Sequence, residues 1–356
     1  MFASASNSPD SATNAHPRDL ALRDWIAAQA PAFGLLPQTL ASASADASFR
    51  RYLRIARADG STLVVMDAPP GLEDLGPFLH VRDAFAACGV RVPAIIHADR
   101  TAGFVLLEDF GNTHFLAALD ANTAPRLYAS ATETLVRLQA GTQPGVLPPY
   151  DEALLRRELE LFREWYCGKH LGVTLTERQH KMLDQCFATL IANNLAQPQV
   201  YVHRDYHSRN LMLLGDPAGS GDIGPGVLDF QDAVLGPITY DLVSLLRDAY
   251  IAWEEDQVID WAARYWQQAR KAGLPVDPDF GNFYRDFEWM GLQRHLKVLG
   301  IFARLKHRDG KDGYLKDMPL VLQYTRKCAE RYNAFAGLVD LLDALEGNAA
   351  QVGYTF

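Results

Sequence analysis

Cysteine is scarce in this sequence, which has four cysteines among 356 residues and no CxxC pair. Their scattered positions exclude a dense disulfide framework and a four-cysteine zinc site, so reduced thiols are expected. Long apolar runs are missing too, since none approaches the roughly 18 residues of a membrane span. The first residues lack the basic start and the apolar core of a secretory signal. We therefore expect a cytoplasmic protein with no membrane partner.

Positive charge is also limited, with 34 Lys and Arg residues against 43 Asp and Glu and a formal net charge of −9 at pH 7. This balance argues against a broad nucleic-acid surface, so no nucleic-acid partner is expected. With 48% hydrophobic residues, the chain has enough apolar material for one large domain or two lobes. Residues 1–17, rich in Ser, Ala and Asn, are predicted to be a disordered leader.

Hydrophobic patterning divides the remaining chain into two parts. Alternating stretches such as RRYLRIAR and STLVVMDA predict a lobe over residues 18–110 that contains a mostly antiparallel sheet and a helix. Over residues 111–356 the pattern predicts helices almost throughout, except for short apolar runs and turns at 199–230. The fold class is therefore α+β, with an N-terminal sheet lobe followed by a larger helical lobe.

The stretch VYVHRDYHSRNLML (200–213) places polar residues directly after a buried strand, in the spacing H-R-D-x-x-x-x-N. In phosphoryl transfer, an Asp at this position accepts the proton of the attacking hydroxyl, and the Asn holds Mg²⁺. Asp205 is thus the predicted base, with Arg204 and His207 in support. Asn210 and Asp229, which follows in GVLDFQDA, are the predicted metal ligands, because Mg²⁺ prefers oxygen. A turn-capping role would explain a lone HxD, but not this longer pattern.

These motifs resemble those of the aminoglycoside-phosphotransferase family. The segment LDFQDAVLGPITYDLVSLL (228–246) continues in that family's manner, and the six residues between Asp229 and Gly236 are too few for the activation segment of a protein kinase. The resemblance implies a protein-kinase-like bilobal fold, with a nucleotide-binding N-terminal lobe and the catalytic loop in the C-terminal lobe. We expect Asp241, which opens the next helix, to brace that loop.

Longer strings narrow the resemblance, which runs from about residue 20 to the end of the sequence. DASFRRYLRI, RELELFREWY and QRHLKVLGIFARLKHRDGK are similar to kinases that phosphorylate the anomeric C1 hydroxyl of N-acetylmuramate and N-acetylglucosamine in bacterial cell-wall recycling. The resemblance implies ATP and Mg²⁺ as cofactors and an amino sugar as acceptor. It also implies a sugar 1-phosphate product that passes to a nucleotidyltransferase.

The nucleotide site departs from the kinase pattern in two places. The segment SASADASFRRY (42–52) has no glycine where a phosphate-covering hairpin is expected. Ser44 and Ser48 are candidates for phosphate contact, and a polar β-turn is an equally good explanation. The strand TLVVMDAPP has no Lys for the phosphates, and Arg51 is the candidate replacement. Glu108, near the end of LLEDF, is expected in the hinge whose backbone binds adenine.

Two helices carry candidate residues for the acceptor. RRELELFREWY supplies Glu158 and Trp165, although an aromatic stripe at helical spacing belongs more often to the core. FEWMGLQRHLKVLG supplies Arg294 and Lys297, which fit either the carboxylate of muramate or a solvated basic face.

Two other functions remain open at this point. One is a kinase of another small hydroxyl compound, such as an aminoglycoside or choline, and the basic run RLKHRDGK argues mildly against a cationic acceptor of this kind. The other is a nucleotide-binding pseudokinase, which the missing Lys and glycines suggest. The intact residues Asp205, Asn210 and Asp229 argue against a pseudokinase, because a non-catalytic module has no need of all three.

Overall fold

The computed structural model describes residues 16–45, 49–216, 221 and 223–347. Within these ranges the chain forms two compact units. The first comprises the described residues up to Gly76 together with Pro93–Asp109, and the second comprises Pro77–Val92 together with the described residues from Phe110 onward. Most of the predicted leader and the candidate Ser48 lie outside the described residues. None of the described helices is long and apolar enough to cross a membrane.

A five-stranded antiparallel sheet with strand order β1-β2-β3-β5-β4 forms most of the first unit, as the alternating pattern predicts. Its elements are helix α1 (Pro17–Phe33), a 3₁₀ turn (Pro37–Thr39), β1 (Ala41–Ala45), β2 (Arg51–Ala56), β3 (Thr62–Asp67), β4 (Ile95–Asp99) and β5 (Phe104–Glu108). On α1, Leu22, Trp25 and Ile26 are three and four residues apart and therefore share one face. This face packs against Ile55 and Val65 of the sheet and so forms the core.

Helix α2 (Leu75–Ala87) lies between β3 and β4 in sequence, but most of it belongs to the second unit. The ring centroids of Phe78 and Phe85 lie 5.1 and 6.0 Å from that of Phe230, and Phe85 lies 6.0 Å from His203. The sequence places this helix in the N-terminal lobe because of its position along the chain. Its aromatic side chains instead attach it to residues that flank the catalytic motif.

Helices make up most of the second unit, as predicted. The helices are α3 (Phe115–Ala118), α4 (Ala124–Ala140), α5 (Glu152–Leu161), a π-helix (Phe162–His170), α6 (Glu177–Ala196), α7 (Tyr240–Leu246), α8 (Glu255–Lys271), α9 (Phe280–Asp309), 3₁₀ turns (Asp312–Asp317 and Asn333–Phe335), α10 (Met318–Arg331) and α11 (Ala336–Glu346). Two small antiparallel pairs flank the catalytic motif, namely β6 (Gln199–Val202) with β9 (Val234–Pro237) and β7 (Leu211–Met212) with β8 (Gly226–Val227).

Helix α9 is the central helix of the second unit and packs against α5, α6, α7, α10 and the π-helix. Because it is surrounded, α9 buries polar side chains as well as apolar ones, among them Glu288, Gln293, Arg294, His295 and Lys297. Charged side chains are stable in such positions only when they are paired or hydrogen-bonded. The helices packed around α9 therefore have to supply hydrogen-bond or ion-pair partners for these side chains.

The region predicted to be helical contains two interruptions. Helix α5 passes into the π-helix at Phe162, and the chain breaks at Tyr332 between α10 and α11. Tyr332 is extended (φ −125°, ψ 118°), and its hydroxyl donates to Glu288 Oε2 at 2.6 Å. Where α5 meets the π-helix, Gly300 of α9 lies so close that an added Cβ would sit 2.3 Å from the Leu161 carbonyl carbon. Only glycine permits this approach.

The close approach of α9 can be tested with Gly300→Ala. We expect this substitution to lower the free energy of unfolding by about 1–3 kcal/mol, because the new methyl group would overlap the Leu161 backbone. Gly313→Ala is the matched control, since nothing lies within 4 Å of an added Cβ there, and it should change stability by about 0.5 kcal/mol at most. Urea unfolding monitored by circular dichroism measures both variants. Equal stabilities would contradict the role given to Gly300.

Candidate active site

The catalytic loop, residues His203–Asn210, leaves the buried end of β6 through an unusual backbone conformation. Arg204 has a φ of 77°, in the left-handed region that non-glycine residues rarely adopt. The carboxylate of Asp241 accepts the backbone N–H groups of His203 and Arg204 at 2.6 and 3.0 Å. Burial raises the pKa of Asp241 to about 7, and the two backbone donors oppose that rise. Asp241 thus braces the loop, as expected.

Asp205 follows this turn and keeps its side chain partly exposed. Nη1 of Arg294 lies 3.7 Å from Asp205 Oδ1. Burial raises the pKa of the Asp205 carboxyl, but the positive charges of Lys297 and Arg294 outweigh this effect and hold the pKa well below its usual value. Asp205 is therefore ionised at neutral pH and can accept a hydrogen bond from a hydroxyl group.

The two predicted metal ligands lie side by side. The Asn210 amide nitrogen donates to Asp229 Oδ2 at 3.3 Å and to the Asp205 carbonyl at 3.0 Å. Gln231 donates to the other Asp229 oxygen at 2.8 Å. The described residues hold no cluster of three or more His, Cys, Asp or Glu side chains that could bind a metal. Mg²⁺ needs no such cluster, because it keeps waters and phosphate oxygens, so one carboxylate and one amide fit it.

A buried ionic cluster stands behind the loop, and we call it the Glu158 cluster. It consists of Glu158, Arg204, Tyr240, Arg294 and Lys297. Glu158 binds the Arg204 guanidinium and, at 3.0 Å, the Lys297 ammonium group. Lys297 donates to the Tyr240 hydroxyl at 2.9 Å. Arg294 donates to the Arg204 carbonyl at 2.8 Å and to the Tyr240 hydroxyl at 3.3 Å. Every charge in the cluster therefore has a partner from the protein.

The charges in the cluster stabilise one another. Burial raises the pKa of Glu158, but Lys297 and Arg204 lower it, so that it lies below its usual value. Burial lowers the pKa of Lys297, and Glu158 more than reverses this effect. All three groups are consequently charged at neutral pH.

The cluster changes the interpretation of three residues that were predicted to bind the acceptor, namely Glu158, Arg294 and Lys297. The solvated basic face considered for Arg294 and Lys297 is wrong, since these side chains are only 6% and 5% exposed. Together with Glu158, they bind protein groups rather than face an open surface. Trp165 is half-buried in the π-helix, next to the buried Tyr166. Hydrophobic periodicity identifies the helices here, but it does not reveal which face meets the loop.

The predicted nucleotide contacts in the first unit have partners of their own. Arg51 binds Asp67 Oδ2 at 2.5 Å and Asp19 Oδ1 at 2.7 Å, so its guanidinium is held by carboxylates. The Glu108 carboxylate accepts the backbone N–H of Ala94 at 3.2 Å. Ser44 belongs to β1, where its backbone pairs with Tyr52 of β2. The roles of these residues in nucleotide binding stay predictions.

A second carboxylate braces the loop and was not identified from the sequence. Asp248 Oδ2 accepts the backbone N–H and the hydroxyl of Ser208, at 3.0 and 2.5 Å. Helical periodicity carries no signal for it, because α7 ends at Leu246, two residues before Asp248. Beside Ser208, the His207 ring lies 5.4 Å from Tyr250, edge to face. Burial lowers the pKa of His207, which favours the neutral imidazole.

Comparison with known proteins shows similarity along nearly the whole chain. The model of the phosphotransferase enzyme family matches residues 39–280. An N-acetylmuramate/N-acetylglucosamine kinase of Neisseria meningitidis serogroup B is 49% identical over 344 residues, which are 95% of this chain and 99% of that protein. The protein of the same name from Pseudomonas putida is 46% identical over 319 residues, covering 89% and 92% of the two chains.

Solved structures at low sequence identity share the fold. An ADP-bound aminoglycoside phosphotransferase, APH(2'')-Ib, has a TM-score of 0.56 at 12% identity and covers 86% of this chain and 98% of its own. A Plasmodium vivax ethanolamine kinase has a TM-score of 0.61 at 8% identity and covers 88% and 91%. The fold class predicted from the sequence is therefore confirmed.

The contact between Arg294 and the catalytic loop can be tested with Arg294→Met. We expect kcat for phosphoryl transfer to fall about 10²-fold, because the Arg204 carbonyl loses its donor and Asp205 loses a neighbouring positive charge. Nucleotide affinity, measured by titration, should change little. Arg294→Lys keeps the charge and should recover part of kcat. A kcat for Arg294→Met within about threefold of wild type would contradict this role.

Proposed function

Because this chain belongs to the phosphotransferase enzyme family, we propose that it transfers the γ-phosphoryl group of ATP to the anomeric C1 hydroxyl of N-acetylmuramate and of N-acetylglucosamine. The observation that carries the reaction is the ionised Asp205 carboxylate next to the pair Asn210 and Asp229. The acceptors follow from the relatives that are 46–49% identical to this chain.

Asp205 acts on the attacking hydroxyl. Its carboxylate accepts the hydrogen bond of the C1 hydroxyl and points an oxygen lone pair of that group at the γ-phosphorus. The low pKa of Asp205 makes the carboxylate a weak base, so it orients the hydroxyl first. It takes the proton only as the new O–P bond forms and the hydroxyl becomes acidic. Arg294 and the Asp241 brace keep the carboxylate in place during this step.

Asn210 and Asp229 are the residues that would hold Mg²⁺. When bound, the ion neutralises charge that develops on the phosphate oxygens. The Asn210 amide fixes the spacing of these two residues, because it donates to both the Asp205 carbonyl and Asp229. Gln231 orients the second Asp229 oxygen. The group that takes the proton and the groups that would hold the metal are therefore positioned by one hydrogen-bonded unit.

The product of this reaction is a sugar 1-phosphate, the substrate class of sugar-1-phosphate nucleotidyltransferases. We propose that such an enzyme consumes it and that the reaction serves the recycling of cell-wall amino sugars in the cytoplasm, where ATP is present. Supply of free N-acetylmuramate and N-acetylglucosamine then requires a hydrolytic step upstream.

The proposed reaction can be tested directly with purified protein, ATP and Mg²⁺. Both sugars should support ADP release, and phosphorus NMR of the products should show the phosphate at C1, because the reacting hydroxyl is common to both. Kanamycin and choline serve as comparison acceptors. Phosphate at C6, or turnover of a comparison acceptor while both sugars fail, would refute the anomeric-kinase assignment.

Asp205→Asn tests the role of the carboxylate. The amide keeps the shape but cannot take the proton, so kcat should fall about 10²–10⁴-fold with either sugar. Nucleotide affinity should be nearly unchanged. Asp260→Asn, which removes an exposed carboxylate that pairs with Arg264 on α8, is the control and should retain full activity. Sugar turnover by Asp205→Asn within a few-fold of wild type would exclude Asp205 as the base.

A further inference from the structure

Three cations beside the catalytic loop are already bound to protein groups. Arg204 and Lys297 share the Glu158 carboxylate, and Arg294 donates to the Arg204 carbonyl. For Arg204 and Lys297, binding an acidic substituent of the acceptor would break a buried ion pair. Arg294 is also a poor candidate, because it is buried and already engaged by the Arg204 carbonyl, the Tyr240 hydroxyl and Asp205. A carboxylate on the acceptor therefore requires another cation close to Asp205.

Arg209 is a further cation of the loop, four residues after Asp205 and between Ser208 and Asn210. Its guanidinium carbon is 3.8 Å from the centre of the Tyr250 ring, so the group is stacked on an aromatic face. Its side chain is partly exposed, and it makes no close ion pair among the described residues, although its charge opposes the rise that burial causes in the pKa of the Asp317 carboxyl. Stacking fixes the plane of a guanidinium and leaves its N–H edges able to bind a carboxylate through two parallel hydrogen bonds.

The partly exposed rings of His207 and Tyr250 lie next to Arg209, and the partly exposed Tyr314 lies beyond the buried Phe302. From His207, an aromatic row continues through Tyr250 and Phe302 to Tyr314, with ring centroids 5.4, 6.4 and 5.3 Å apart. Close to this row, Asp317 Oδ2 is buried without a hydrogen-bond partner among the described residues. Small-molecule sites typically combine an aromatic lining with a few polar groups of this kind.

We propose that Arg209, held against Tyr250, binds the 3-O-lactyl carboxylate that N-acetylmuramate carries and N-acetylglucosamine lacks. This inference rests on the proposed function, in which Asp205 meets the C1 hydroxyl. The acceptor must then lie against the residues that follow Asp205 in the loop, and the lactyl group projects from the same ring. Arg209 is thus a specificity-determining residue for the acidic acceptor.

Arg209→Gln separates the two acceptors. We expect kcat/KM for N-acetylmuramate to fall about 10- to 100-fold, the usual effect of losing a charge-assisted hydrogen bond. The value for N-acetylglucosamine should stay within about threefold, which also shows that the variant is folded. Arg209→Lys should recover only part of the loss, because it keeps the charge without the planar fork. Arg264→Gln on α8 removes an exposed guanidinium paired with Asp260 and should leave both acceptors unchanged.

A chemical counterpart of the substitution tests the pairing itself. The carboxamide of N-acetylmuramate lacks the negative charge of the acid. With wild type, kcat/KM should be lower for the carboxamide than for the acid, by about the same factor by which Arg209→Gln lowers kcat/KM for the acid. Arg209→Gln should not distinguish acid from carboxamide, because the two changes remove the same interaction.

Two outcomes would overturn the assignment of Arg209 while wild type still phosphorylates both sugars. One is an equal loss on both sugars, which would assign Arg209 to the phosphates or to the loop structure. The other is an Arg209→Gln variant that still prefers the acid to the carboxamide as strongly as wild type does. Failure of wild type on both sugars is a different result, and it would refute the proposed function itself.

Discussion

The left-handed backbone of Arg204 turns the chain from the buried strand β6 to the exposed carboxylate of Asp205. A non-glycine residue in this conformation carries about 1–3 kcal/mol of strain and persists only when its surroundings hold it. Here three parts of the residue are held separately. Asp241 accepts its N–H, Arg294 donates to its carbonyl, and Glu158 binds its guanidinium. Helices α5, α7 and α9 each supply one of these contacts, so the turn depends on their joint packing.

The same contacts set the electrostatics of the site. Two cations from α9 face Asp205, and one anion from α5 only partly balances them. The excess of positive charge keeps the catalytic carboxylate ionised, even though the surrounding protein disfavours a charge there. A carboxylate with a lowered pKa is a weak base, so it is better suited to orient a hydroxyl group than to remove its proton early. Phosphoryl transfer depends mainly on positioning and charge stabilisation, which fits this property. Gly300 contributes indirectly, because it lets α9 approach the backbone at the end of α5.

The sequence predicted which residues of the proposed site lie together better than it predicted the groups that support them. Asp205, Asn210 and Asp229 follow one another at short spacings on a loop and a strand end, so local pattern and known chemistry were enough to bring them together. Glu158 and Lys297 meet only through the packing of α5 on α9. Since α9 is buried on most sides, its periodicity gave no signal of which face carries the loop contacts. The carboxylate partner of Arg51 escaped the sequence for a related reason, because Arg51 stands opposite Asp67 in the register of β2 and β3, and that partner becomes visible only when the strands are paired.

The position of α2 has a consequence for how the polypeptide can be divided. Helix α2 is synthesised between two strands of the first sheet. Its side chains Phe78 and Phe85, however, pack against Phe230, which is synthesised much later. The first sheet has all its strands once Glu108 has been made, whereas the second unit cannot close its core around α2 until the catalytic segment follows. A fragment that ends after Glu108 would contain α2 but lack Phe230, so the aromatic side chains of α2 would lose their packing partner. The two units are therefore interleaved along the chain, and neither can be excised as one continuous segment.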